Sequence, residues 1–218
     1  MTGASPSLVV ASSDGTPIAV FSSGDGPPLV LVHGATADHT TFRVVGPLLA
    51  SDFTVHAIDR RGRGASGDAP AYSIEREYED VAAVAKAVLV ADGSAESVAV
   101  FGHSYGGRCA LGAALLTDTI GRVVSYEGAP TPPGSSYHPI GIEARLRERI
   151  AAGDRDGALA LFLTEVVGMR AEDLAAYRAD PIWPLRAAAA RTILRELEAE
   201  ADPAASLDRL DAVRQPVL

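Results

Sequence analysis

Ser104 stands in VFGHSYGG (100–107), with Gly102 two residues before it and Gly106 two after, a G-x-S-x-G spacing. A neutral serine hydroxyl is a weak nucleophile: to attack a carbonyl carbon it must be held out on a sharp turn and give its proton to a base. Flanking side chains larger than hydrogen collide on such a turn, so glycine belongs at 102 and 106. The context matches, because SVAVF (97–101) reads as a strand and SYGGRCALGAALL (104–116) as the start of a helix. The chemistry this spacing serves is acyl transfer through a serine ester.

A second segment supplies what the first lacks. LVLVHGATADHTTF (29–42) ends an apolar strand at His33-Gly34 and continues as a polar loop. A tetrahedral intermediate needs about two N–H donors aimed at its oxyanion, and losing one typically lowers kcat about 10²–10³-fold. The backbone amides of Ala35 and Tyr105 are the candidates.

The base is harder to find among the five histidines, 33, 39, 56, 103 and 138. His56 lies within a strand, His103 precedes the nucleophile on a turn that directs the two side chains apart, and His33 is expected to bond loop backbone. His39 is placed near the pocket mouth and His138 in a linker, and neither is assigned as the base. Glu127, at the end of RVVSYEG (122–128), reads either as a carboxylate orienting an imidazole in the same cleft or as a structural acid held by amides or an arginine. GRGASG (62–67) matches G-x-G-x-x-G, but dinucleotide binding requires a helix to open at its third glycine, and Gly67 is followed by DAPAYS. The better reading is a tight surface loop held by Asp59 and neighbouring arginines.

These residues need a scaffold, and the first 130 positions alternate β-branched runs with helical patterns, which predicts an α/β layered fold with a largely parallel sheet. LVVA (8–11) and PIAVF (17–21) read as a hairpin; PLVLVHG (28–34), FTVHAID (53–59), SVAVFG (97–102) and RVVSYEG read as strands. TFRVVGPLLAS (41–51) predicts a short helix interrupted at Gly-Pro, and SIEREYEDVAAVAKAVLVAD (73–92) a long one capped by Ser73 and ended by Gly93. After the Pro-, Gly- and Ser-rich APTPPGSSYHPIG (129–141) the pattern becomes wholly helical. The division expected is a core over 1–129, a helical region over 130–211, and the first residues of a returning strand over 212–218.

Composition narrows the function classes. With 218 residues and 47% hydrophobic side chains, the chain can bury a core of its own. The net charge of −9 argues against a nucleic-acid surface, which needs clustered Lys and Arg. A single cysteine, Cys109, excludes an internal disulfide or a cysteine metal cluster and reads as a buried apolar residue. No segment approaches the ~20 apolar residues of a membrane span, and the N-terminus lacks a basic and apolar leader, so a cytoplasmic protein is expected. No cofactor or metal is expected, and the partner is a small-molecule substrate.

Taken together, LVLVHGATAD, VHAIDRRGRGASG, FGHSYGG and VVSYEGAP resemble the oxyanion loop, the D-x-R-G-x-G-x-S segment, the nucleophile elbow and the strand preceding the cap of the α/β-hydrolase fold family, in the right order. The resemblance implies a mostly parallel sheet flanked by helices, Ser104 as nucleophile, the Ala35 and Tyr105 amides as oxyanion hole, and the helices after 130 as a cap shaping the pocket. It also implies an acid after the strand that VRQPVL (213–218) begins and a histidine after the next one, both beyond Leu218. A truncated, inactive chain with RVVSYEG as a bare, aggregation-prone edge is therefore expected. The reaction implied is hydrolysis of a small ester or related acyl compound. From another class, a non-catalytic protein holding a small ligand in the cap pocket is the rival. Trp183, Phe162 and Met169 read as packing before recognition.

Overall fold

The computed structural model describes residues 5–128, 130, 132 and 138–218. Six strands, β1 (Leu8–Ala11), β2 (Pro17–Ser23), β3 (Pro28–Val32), β4 (Thr54–Ile58), β5 (Val98–His103) and β6 (Ile120–Tyr126), form one sheet in the order β1-β2-β4-β3-β5-β6. β1 and β2 run antiparallel to their neighbours; β4, β3, β5 and β6 are mutually parallel. Every residue of β3 is buried, as its unbroken apolar run requires of a strand covered on both faces. This is the α/β-hydrolase fold: a mixed sheet flanked by helices.

One face is covered by α2 (Ile74–Asp92) and α3 (Tyr105–Ala114), which bury Tyr78, Val81, Val84, Cys109 and Ala113 against Val30, Val32 and Val100. α2 starts where the Ser73 hydroxyl accepts the Arg76 N–H and stops at Gly93, whose left-handed backbone returns its N–H to the Leu89 carbonyl. On the opposite face, α1 (Val45–Leu49) follows a 3-10 turn over His39–Phe42, and Phe42 packs on Leu31 and Val55. The expected Gly-Pro interruption is not a break. Pro47 falls in the first turn of α1, where its missing N–H has no intrahelical partner to lose.

The second half is helical: α4 (Ile142–Ala151), α5 (Arg155–Glu165), α6 (Ala171–Ala179), α7 (Trp183–Ala189), α8 (Ile193–Glu200) and α9 (Leu207–Leu210). Ile142, Leu146, Leu159, Phe162, Leu163, Trp183, Ile193 and Leu197 form a core separate from that of the sheet. Cβ-bearing side chains at 3.6-residue spacing pack there between helices, which is what the periodic Leu and Ala patterns require.

The outer edge of β6 is not bare. Val123 N donates to Pro216 O at 3.0 Å, Leu218 N to Val123 O at 3.0 Å and Ser125 N to Leu218 O at 2.8 Å, so the last three residues lie parallel to the strand. The edge expected to be exposed is thus paired over its middle. Among the described residues, no helix is long and apolar enough to cross a membrane, and no group of three or more His, Cys, Asp or Glu is arranged to hold a metal ion.

Candidate active site

β5 ends at His103 and α3 begins at Tyr105, leaving Ser104 alone on the turn with φ 54° and ψ −125°. An L-residue there is strained, and the neighbours hold it in place: Ser104 N donates to Tyr126 O at 2.8 Å and Gly107 N to Ser104 O at 2.8 Å. A Cβ at Gly102 would run into the backbone of Gly106, and one at Gly106 into the carbonyl oxygens of Val32 and His33. The two glycines are therefore needed for backbone-to-backbone contact across β3, β5 and α3.

Ser104, Ala35 and Tyr105 line one cavity of about 180 Å³. Phe162, Val166, Ile193 and Leu197 close its apolar side, and Arg108, Glu127, His138, Glu196 and Glu200 its polar side. No described residue accepts a hydrogen bond from the Ala35 or Tyr105 backbone N–H. The four residues singled out from sequence, Ser104, Ala35, Tyr105 and Glu127, thus meet around a single space. Glu127 sits at φ 56° with a side chain 66% exposed, and its carboxylate faces His103 Nε2 at 3.6 Å, beyond hydrogen-bond reach.

The histidines separate by their partners. His33 has both nitrogens engaged, Nδ1 with Gly34 O at 2.9 Å and Nε2 accepting Arg60 N at 3.0 Å. Burial, followed by the charges of Arg60 and Arg63, lowers its pKa well below the usual imidazole range, so it is neutral. His39 is not at the mouth of the Ser104 cavity: it bonds Asp59 Oδ1 at 2.8 Å, stacks on Phe21 and lines a different, apolar cavity of about 260 Å³. His56 bonds the Ser22 hydroxyl at 2.9 Å. Among the described residues, only His138 and Glu200 bring an imidazole-carboxylate pair, 2.7 Å apart, to the lining of the Ser104 cavity. Sixty-two positions separate them in the chain, and no local pattern announces the pair.

The turn over GRGASG is exposed at Gly64 and Ala65 and held by Asp59, which accepts the Ala65 N–H at 2.8 Å, as expected, but Arg60 and Arg61 before it and Arg63 within it are buried. They are 0%, 0% and 3% exposed, drawn inward by acids on α2 and α8. Arg60 donates to Glu77 at 2.6 and 3.1 Å, to Glu196 Oε1 at 2.6 Å, and to the Gly34 and His33 carbonyls at 3.2 and 3.4 Å. Its guanidinium also lies 4.6 Å from the centre of the Tyr105 ring. One side chain thereby ties both candidate oxyanion residues to α2 and α8. Burial pushes the Glu77 carboxyl up, but the charge and hydrogen bonds of Arg60 outweigh it and hold the pKa below the usual carboxylate range. Arg61 pairs with Asp80 at 2.7 Å through both Nε and Nη2. At Gly64, φ is 47° and a Cβ would overlap the Asp59 carboxylate, so this glycine serves the turn's own hydrogen bonds.

A model of the alpha/beta hydrolase family matches residues 29–218. A pimeloyl-[acyl-carrier protein] methyl ester esterase of Photobacterium profundum is 34% identical over 110 residues, 50% of this chain and 40% of that protein. An N-formylmaleamate deformylase of Pseudomonas putida is 31% identical over 119 residues, 53% of this chain and 42% of that protein. The matches thus span less than half the length of these curated relatives. The crystal structure of an alpha/beta hydrolase from Sphaerobacter thermophilus superposes with a TM-score of 0.81 at 36% identity, over 96% of this chain and 80% of that one.

Proposed function

The chain belongs to the alpha/beta hydrolase family, and from that membership we propose that it is a serine hydrolase acting on a small-molecule ester or related acyl compound through an acyl-Ser104 intermediate. The observation that carries the reading is the strained, glycine-flanked turn that holds Ser104 against a cavity shared with the amides of Ala35 and Tyr105. In the reaction, Ser104 Oγ bonds to the carbonyl carbon and its proton leaves to a base. The oxygen that becomes negative is held by the Ala35 and Tyr105 N–H groups, and the leaving alcohol or amine departs with a proton. Water then releases the acid. Helices α4 to α8 act as the cap over this site, with Phe162 and Val166 contacting the acyl chain. The relatives named as an esterase and a deformylase support acyl substrates as the class.

Among the described residues none hydrogen-bonds the Ser104 hydroxyl. An oxyanion hole and binding without an engaged base leave about 10³–10⁴-fold acceleration over water. The 218 residues by themselves are therefore expected to acylate slowly. The same observation favours the second reading, a non-catalytic protein that holds a small ligand in the cavity.

Covalent labelling with a fluorophosphonate, located by peptide mass spectrometry, separates the two. The hydrolase reading expects the label on Ser104 and none in Ser104→Ala; a folded chain that binds small esters reversibly and takes no label would favour the ligand-binding protein.

A further inference from the structure

The Ser104 cavity holds an acceptor that the acyl-transfer chemistry does not use. Ile193, Glu196, Leu197 and Glu200 all line this space, at the spacing of one face of α8. Glu196 is 1% exposed. Its Oε1 accepts both Arg60 Nη2, at 2.6 Å, and Arg63 Nη2, whereas its Oε2 is buried and has no donor among the described residues. The other acids of the wall differ: Glu200 Oε2 meets His138 Nε2 at 2.7 Å, and the Glu127 side chain is 66% exposed, so water reaches it.

A buried carboxylate oxygen without a donor is costly, and a ligand that brings the donor relieves that cost. With Oε1 turned to the two arginines, Oε2 is the oxygen left for the cavity. The group it suits is neutral. Glu77 and Glu196 balance Arg60 and Arg63, so the cluster has no charge left to offset an ammonium, and Phe162, Ile193 and Leu197 would strip the water from one. A hydroxyl brings the donor without the carbonyl of an amide, which would need a second partner. A site built around such an acceptor rejects the analogue that lacks the donor, because the acceptor then stays unpaired.

We propose that Glu196 sets the substrate class: the acyl group that enters this cavity carries a hydroxyl, seated on Oε2. The inference rests on the reading of the Ser104 cavity as the acyl-binding site. The rival donor is Arg63 itself, whose Nε–H also lacks an acceptor among the described residues. Closing that fork predicts a cavity indifferent to a ligand hydroxyl.

The test uses the whole chain as Ser104→Ala, which lacks the nucleophile, and titrates it at pH 7.5 with methyl pentanoates bearing a hydroxyl at carbon 2, 3 or 4, each beside its fluoro counterpart, by ligand-observed NMR. Fluorine is close to a hydroxyl in size and donates no hydrogen bond. At one of these carbons the hydroxy ester is expected to bind about tenfold or more tighter. Glu196→Gln in the same background keeps an oxygen for Arg60 and Arg63 and turns an NH2 to the cavity, so the preference falls toward parity, while its thermal midpoint reports that it folds. Glu198→Gln, at an exposed position of α8 paired with Arg147, keeps the preference. Equal binding of hydroxy and fluoro esters at all three carbons overturns the inference, as does a preference unchanged in a folded Glu196→Gln, or tighter binding of the amino ester than of the hydroxy ester at the same carbon. Should Glu196→Gln not fold, the parent preference alone decides. Fluorophosphonate labelling of Ser104 in the parent tests the hydrolase reading separately: a chain that takes no label yet prefers the hydroxy ester loses the acyl-enzyme and keeps Glu196 as its selector.

Discussion

Replacing Arg60 with methionine strands two carboxylates in the interior. Arg60 and Glu77 are 0% exposed and Glu196 is 1%, so water cannot take over the lost contacts. Removing one partner of a buried ion pair costs about 3–5 kcal/mol, chiefly because the other charge remains unmatched. Here Glu196 keeps Arg63, and Glu77 keeps the Tyr72 hydroxyl at 3.0 Å, which places the expected loss near the lower end, about 3 kcal/mol. With a urea dependence of about 3 kcal/mol per M, the unfolding midpoint falls by about 1 M. Arg60→Met combined with Glu77→Gln removes a stranded charge and recovers at least about 1 kcal/mol of that loss, which separates charge burial from lost packing. The same substitution releases the Gly34 carbonyl, which Arg60 holds at 3.2 Å, and loosens the loop bearing Ala35. Fluorophosphonate labelling of Ser104 should then slow by about tenfold, less than the 10²–10³-fold expected from losing an oxyanion donor outright. A midpoint shift below about 0.3 M, or no recovery in the double variant, refutes the assignment of Arg60 as the electrostatic strut.

Acid titration gives an independent check: because the Glu77 carboxyl is held below its unfolded value, it contributes stability that is full above about pH 5 and is lost as pH falls through the folded pKa. Urea midpoints between pH 6 and 3 should be flat and then fall, with the Glu77 share of that fall reduced or reversed in Arg60→Met, where the Arg60 charge no longer opposes burial and only the Arg63 charge and the Tyr72 hydroxyl still hold the pKa down. Gly106→Ala forces a Cβ into the Val32 and His33 carbonyls; it should destabilise by about 1–3 kcal/mol and abolish labelling of Ser104, and a labelled, equally stable variant would remove the steric account of the turn. Phe162→Ala, at a side chain 7% exposed in the helical core, should lower stability by about 3–5 kcal/mol in the same assay. Hydrogen exchange should find the Val123 and Ser125 amides protected by Pro216 and Leu218, and deleting residues 216–218 should raise both rates, whereas unchanged rates would argue against the pairing.

The strands and α2 were legible because their signals are local. Continuous β-branched runs mark β3 and β5, and Ser73 and Gly93 mark the two ends of α2. The Ser104 turn was legible for a related reason: glycines at 102 and 106 report a backbone approach that no other residue tolerates. The arginines after Asp59 were read as holding a surface turn, and what no local pattern showed was how deeply they are buried. Their burial depends on Glu77, Asp80 and Glu196, and the last of these lies more than 130 positions away.

By itself the sequence determined the order of elements, the sharp glycine-flanked turn at Ser104 and the loop that faces it, since each rests on side-chain volume and backbone freedom over a few neighbouring residues. Tertiary structure alone decided which acids answer Arg60 and Arg63, and that His138 and Glu200 meet beside Ser104 while His39 turns away to Asp59. The physical reason is common to all of these: ion pairs and cavities form between segments distant in the chain, and their energy depends on burial that no local pattern encodes.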